Sequence, residues 1–115
     1  MAKTLGQGLI DWRSLQQLSD GDRQFERELL SMYVDDTSSH LSQLGDAVMA
    51  QDAQRVTKLA HYLKGSSGNV GITPLHSCAA NLEAQARRGE LGSSQKLLAE
   101  MIGLFKQVQM VLRQM

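Results

Sequence analysis

A histidine, a lysine three residues on and a glycine four residues on stand in one segment, Ala60-His61-Tyr62-Leu63-Lys64-Gly65-Ser66-Ser67-Gly68-Asn69-Val70, closed by Gly71. An unperturbed imidazole ionises at about pH 6.5, so near neutrality it offers one bare nitrogen and one N–H. The bare nitrogen is a nucleophile when an acceptor holds the N–H and fixes the tautomer. A cation one turn away suits the oxygens of a transferring phosphoryl group, over which negative charge is spread. The glycines point the same way. Each costs about 1 kcal/mol relative to alanine inside a helix, so Gly65 and Gly68 imply that something comes close to the backbone beside His61.

At roughly 100° per residue, Val56, Leu59, Ala60, Leu63, Ser67 and Val70 share one arc, which is the core face. His61, Gly65 and Gly68 fall opposite it, with Lys64 at their edge. His61 is therefore expected at solvent on a strip bare of side chains. A lone surface histidine means little; an exposed histidine with a cation at i+3 and bare backbone at i+4 and i+7 suggests a docking and reaction site.

Glu83 is the candidate acceptor for the His61 N–H. It lies one residue past Leu82, at the border of the next helix's inner stripe, where an antiparallel neighbour brings it beside the ring; the plainer reading is a solvated glutamate. Arg87 follows four residues later on the same flank, as a second cation or as a surface arginine at a helix end. Ser66 and Ser67 read as small packing residues, with a local hydrogen bond open to Ser67. His40 and His76 lack comparable surroundings. No spacing among the histidines, Cys78 and nearby acids matches a metal site. Met101, Met110 and Met115 read as core and tail rather than as ligands. With no Walker-type glycine loop and no kinase signature, the chain is not expected to use ATP by itself.

The elements that must position these residues read as helices throughout, with a single proline and no run of strand-like alternation. Residues 1–8 read as a loose arm and 9–115 as one domain. Asp11 caps a short helix to about Leu18, with Trp12 and Leu15 inward. Ser19-Asp20-Gly21-Asp22 is a turn. A long helix then reaches about Ala50, with Phe25, Leu29, Met32, Tyr33, Leu44 and Val48 as its apolar positions. Asp52 caps the helix of His61, which ends near Gly68 to Gly71. Thr73 is expected at the next N-cap with Pro74 at the first helical position. Leu75, Cys78, Ala79, Leu82 and Ala86 form its inner stripe, and Gly89 ends it after Arg87 and Arg88. The last helix starts at Ser93 or Ser94 and carries Leu97, Met101, Leu104, Phe105, Val108, Val111 and Leu112. The fold class is all-α: an antiparallel four-helix bundle with a short additional N-terminal helix.

Bulk properties exclude several classes. The chain has 115 residues, 12 basic and 12 acidic, and a formal net charge of zero. That length supports one modest core, and the charge balance argues against nucleic acid. Cys78 is the only cysteine, so no internal disulfide forms, and its place on the stripe suggests a buried thiol. No apolar run approaches the ~20 residues of a membrane span. No signal-peptide pattern opens the chain, so a cytoplasmic location is expected. The start at Met1-Ala2-Lys3 suggests a free-standing protein rather than part of a hybrid kinase.

The segment from Ala60 to Gly71 resembles the active helix of histidine-containing phosphotransfer domains, the small bundles of multistep phosphorelays. Leu75, Cys78, Ala79, Leu82 and Glu83, the Arg87-Arg88-Gly89 turn, and Asp22 to Met32 with Phe25 and Leu29-Leu30 extend the resemblance to most of residues 10–112. It implies that His61 accepts a phosphoryl group from a receiver-domain aspartate and passes it reversibly to another. Lys64 would stabilise the phosphoryl oxygens, Glu83 orient the ring and Arg87 add a cation. Gly65 and Gly68 would let the receiver's loops approach. Apolar residues of the first helix and the early second helix would meet a receiver helix in a weak, transient interface. Magnesium would belong to the receiver, so no cofactor is expected here, and a monomer is the family expectation. The alternative is a non-relaying helical module that docks a receiver or kinase through the same face. A dimerising kinase core and a plain bundle with a cofactor pocket are more distant readings.

Overall fold

In the computed structural model, which describes residues 8–115, aspartates start three of the helices. Asp11 accepts from the Ser14 N–H at 3.3 Å, Asp22 from Phe25 at 3.2 Å and Asp52 from Arg55 at 3.2 Å, satisfying amides that have no partner within the first turn. The helices are α1 (Trp12–Ser19), α2 (Arg23–Met49), α3 (Ala53–Asn69), α4 (Thr73–Arg87) and α5 (Ser94–Gln114). α2 packs on α3 and α5, and α4 packs on α3 and α5. The four long helices thus close a ring, and α1 lies against α2. At 1.5 Å per residue α2 is about 40 Å long, close to the 45 Å long axis of the molecule. Residues 1–7 of the expected N-terminal arm lie outside the described residues.

The interior follows the expected stripes for α3, α4 and α5. Val56, Ala60 and Leu63 face Leu75, Ala79, Leu82 and Ala86, while Leu97, Met101, Phe105, Val108 and Val111 complete the core; Leu59, Leu104 and Leu112 are only partly buried. Ser67 is fully buried, and its hydroxyl shares a 2.7 Å hydrogen bond with Tyr33 of α2. This is a link between helices rather than the local bond the sequence allowed.

The first half of α2 departs from expectation. Phe25 is 42% and Met32 69% exposed, and Leu29 is half-buried. The buried positions are Glu26, Leu30, Tyr33, Thr37, Leu41, Leu44, Ala47 and Val48, a stripe one residue out of phase with the apolar run. A glutamate holds an inner position because its oxygens are satisfied. Ser19 Oγ donates to Glu26 Oε2 at 2.7 Å, and Arg23 pairs with Oε1 at 3.3 Å. The same Arg23 lies over the Trp12 ring, 5.0 Å from its centroid, so this cluster fastens α1 to α2.

Two further expectations are corrected. Thr73 is not the N-cap: Ile72 takes that position, no side chain caps the helix, and Thr73 is the first helical residue with Pro74 after it. The buried Ile72 fixes the start, since its N–H donates to the Ser67 carbonyl at 2.8 Å and its own carbonyl accepts from His76 at 3.0 Å. Cys78 is half-buried rather than buried, and its thiol donates to Glu100 Oε2 at 3.3 Å. Burial and then the Glu100 carboxylate push the thiol up to about 11. Of the methionines read as core and tail, Met101 is buried while Met110 is exposed.

Gly71 locks the turn that matters most for the site. Its φ of +77° is left-handed, its carbonyl accepts from the Asp11 N–H at 2.7 Å, and a Cβ there would lie 2.9 Å from the Asp11 carbonyl oxygen. Only glycine fits both constraints. The α3–α4 turn is thereby seated on the start of α1.

Candidate functional site

α3 and α4 form a tight antiparallel hairpin around that turn, so residues two to three turns before it lie level with residues two to three turns after it. This brings His61 and Glu83 together. His61 Nδ1 is 2.7 Å from Glu83 Oε2. The His61 side chain is 64% exposed and that of Glu83 only 5%. Lys64 Nζ reaches Glu83 Oε1 at 2.7 Å, and Arg87 Nη2 reaches Oε2 at 2.6 Å. The other three expected side chains, His61, Lys64 and Arg87, meet on this one buried carboxylate, so Glu83 is not a solvated flank residue.

The electrostatics fix the tautomer. The Lys64 ammonium holds the Glu83 carboxyl down at about 2; burial opposes this, and Arg87 and His61 add to the lowering. An ionised carboxylate accepts only, so Nδ1 carries the hydrogen and donates it. Turning Nδ1 inward leaves Nε2 on the exposed edge of the ring, the nitrogen that carries the lone pair when the ring is neutral. The sequence placed Lys64 and Arg87 toward incoming oxygens; in this structure both rest on Glu83.

The two glycines differ. At Gly65 a Cβ would meet nothing within 4 Å, so the strip beside His61 is open there. At Gly68 a Cβ would lie 3.0 Å from His76 Nδ1 and 3.4 Å from Cε1. His76 donates from Nδ1 to the Lys64 carbonyl at 2.8 Å, so its ring occupies the space that Gly68 leaves. No such role for His76 was read from its spacing; the one signal was Gly68 itself.

A second cluster adjoins the site from α2. The Tyr62 hydroxyl donates to Asp36 Oδ2 at 2.7 Å, and its ring stacks on His40 with centroids 3.9 Å apart. His40 donates from Nδ1 to the Asp36 carbonyl at 2.8 Å. These contacts pin α3 to α2 next to His61. Grooves flank the histidine on both sides. One of about 570 Å³ runs between α3 and α4 past Thr57, Lys58 and Arg87. On the other side, grooves of about 340 and 360 Å³ share Ser66 and Asn69 and lead from His61 to Leu29 and Met32. Among the described residues no group of three His, Cys, Asp or Glu side chains is arranged to hold a metal ion, and no helix is long and apolar enough to cross a membrane.

The fold and the sequence are similar to those of known proteins. The crystal structure of histidine-containing phosphotransfer protein B from Pseudomonas aeruginosa PAO1 superposes with a TM-score of 0.86 at 34% identity, over 92% of this chain and 92% of that one. Phosphorelay intermediate protein rdeA of Dictyostelium discoideum is 28% identical over 83 residues, 72% of this chain and 33% of that protein. Multistep phosphorelay regulator 1 of Schizosaccharomyces pombe is 26% identical over 100 residues, 84% of this chain and 34% of that protein. The chain thus spans about a third of the length of these two curated relatives. The model of the Hpt domain matches residues 28–114, most of α2 and all of α3, α4 and α5. By that match and by the fold, the chain belongs to the Hpt domain family.

Proposed function

We propose that this protein is a phosphorelay intermediate whose His61 accepts a phosphoryl group from an aspartyl phosphate on a receiver domain and passes it on to another receiver aspartate. The observation that carries the reading is the exposed His61 ring, held through Nδ1 by the buried Glu83 carboxylate. In the forward step the Nε2 lone pair forms a bond to phosphorus. The bond from phosphorus to the aspartyl oxygen breaks, and its electron pair returns to the aspartate. The Nδ1 hydrogen stays on the ring, which becomes cationic, and the Glu83 carboxylate stabilises that charge as it develops. Reversal of the same steps delivers the group to the next receiver.

Lys64 stabilises the phosphoryl oxygens, and Arg87 is the auxiliary cation. Gly65 opens the strip to the receiver's loops, and Gly68 keeps it low over His76. The exposed Met32 and the half-buried Leu29 continue this surface along α2 and line the groove that reaches toward His61, with Phe25 exposed nearer the start of the same helix. They suit an apolar receiver helix in a small, transient interface. The protein acts as a monomeric cytoplasmic carrier with no ATP-dependent kinase activity and no cofactor, magnesium being supplied with the receiver.

The test is to incubate the protein and a His61→Gln variant with a receiver domain carrying labelled phosphate. Acid-labile, alkali-stable label on the wild type alone is expected. Binding without transfer from several receivers would instead favour a docking module that does not relay.

A further inference from the structure

We propose that the two cations on Glu83 have different duties: Arg87 is the standing counterion of the buried carboxylate, and Lys64 is the exchangeable one that leaves it for the phosphoryl group. The inference deepens the phosphocarrier reading and rests on it.

The distribution of bonds carries the proposal. Oε1 of Glu83 holds Lys64, while Oε2 holds both His61 and Arg87. Arg87 lies four residues after Glu83 on the same helix, so this pair does not depend on the position of α3. Its planar guanidinium also suits a fixed carboxylate contact. Lys64 comes from the other helix, one turn past His61. Exposure does not separate the two, at 32% for the Lys64 side chain and 60% for that of Arg87; what does is that the Lys64 ammonium is a point charge on a flexible stem.

Charge balance permits the exchange. A carboxylate as buried as Glu83 is stable only while paired. Before transfer, Glu83 is flanked by two cations and a neutral ring. As Nε2 bonds to phosphorus and the donor oxygen leaves with the electron pair, the ring becomes cationic while its Nδ1 hydrogen still points at Oε2. Ring and Arg87 are then the two cations on Glu83. Lys64 is released to the phosphoryl oxygens without leaving a bare buried charge. Without Arg87 this release is opposed, because the cationic ring would then be the sole counterion left on the buried carboxylate.

Arg87 therefore acts through Lys64, as a positioning residue, and only while Glu83 is charged. The test measures how label distributes at equilibrium between this protein and a receiver domain charged with acetyl [³²P]phosphate. Helical circular dichroism checks that each variant folds; Lys64→Ala keeps Arg87 on the carboxylate, and Arg87→Gln keeps Lys64. Each single variant is expected to shift the equilibrium about tenfold away from His61, the order of one lost hydrogen bond to a charged group. Lys64→Ala/Arg87→Gln should lose no more than Lys64→Ala alone. Glu83→Gln/Arg87→Gln should match Glu83→Gln, because a neutral amide needs no counterion. Effects that multiply in the Lys64/Arg87 double variant, or an Arg87→Gln loss that survives in the Glu83→Gln background, would overturn the inference while His61 still takes label. No label on wild-type His61 would overturn the underlying reading, and the inference with it.

Discussion

Glu83 accepts from three donors while only 4% of its surface meets water, so its ionisation is coupled to folding. The folded carboxyl is held at about 2 against an ordinary value of 4.5. A depressed carboxyl stabilises the fold fully above its unfolded value, and that contribution disappears as the pH falls through the folded one. Urea unfolding midpoints of the wild type should therefore decline as the pH is lowered from about 5 to about 2. Glu83→Gln should flatten that decline over the same window, and parallel curves for the two proteins would contradict the assignment. At this scale the sequence was informative where residue type and helical angle decide. His61 outward with Lys64 at its edge followed from spacing, whereas Glu83 beside the ring and Arg87 as a second cation were readings that spacing left open against a solvated glutamate and a surface arginine. What spacing could not supply was the direction of two long cationic side chains. They turn to Glu83 because a buried carboxylate attracts them more strongly than open solvent does. The His76 contact with the Lys64 carbonyl was equally out of reach, since it depends on how α4 sits over Gly68.

The helices show where apolar periodicity suffices and where it misleads. In α3, α4 and α5 the apolar positions are the buried ones, apart from partly exposed members such as Cys78, and the capping aspartates fixed three helix starts. In α2 the run Phe25, Leu29, Met32 pointed to a stripe one residue off, because the true inner face includes Glu26, satisfied by Ser19 and Arg23. Of the displaced apolar side chains, Leu29 and Met32 line the groove that leads toward His61. The start of α4 moved by one residue because burial of Ile72 outweighed the capping preference of Thr73. The two glycines of α3 make a direct comparison at this scale. Gly65→Ala adds a methyl in open space and should stabilise the fold by about 0.5–1 kcal/mol through helix propensity. The same methyl lies on the strip beside His61, so transfer from a receiver should slow. Gly68→Ala drives a methyl to 3.0 Å from His76 Nδ1 and should forfeit that gain by disturbing a bond worth about 1 kcal/mol. Urea titrations of the two variants check this; equal stabilisation by both would show that His76 yields freely.

For the whole molecule, the bundle serves as a rigid mount. A ring of four helices buries one face of each, and the hairpin of α3 and α4 is braced by Gly71 against α1 and by Tyr62 against Asp36 and His40. The reactive edge of His61 then stands with grooves on both sides of it. The zero net charge and the all-helical class were legible from composition and pattern. The grooves were not, because they depend on how neighbouring helices separate. Relay through this scaffold depends on which nitrogen reacts. The most direct measurement labels the histidine rings with ¹⁵N, treats the protein with phosphoramidate as a small phosphoryl donor, and records phosphorus–nitrogen couplings by NMR. The expected result is phosphorus on Nε2 of His61 with the Nδ1 hydrogen retained. Phosphorus on Nδ1, or on His40 or His76 with His61 unmodified, would contradict it.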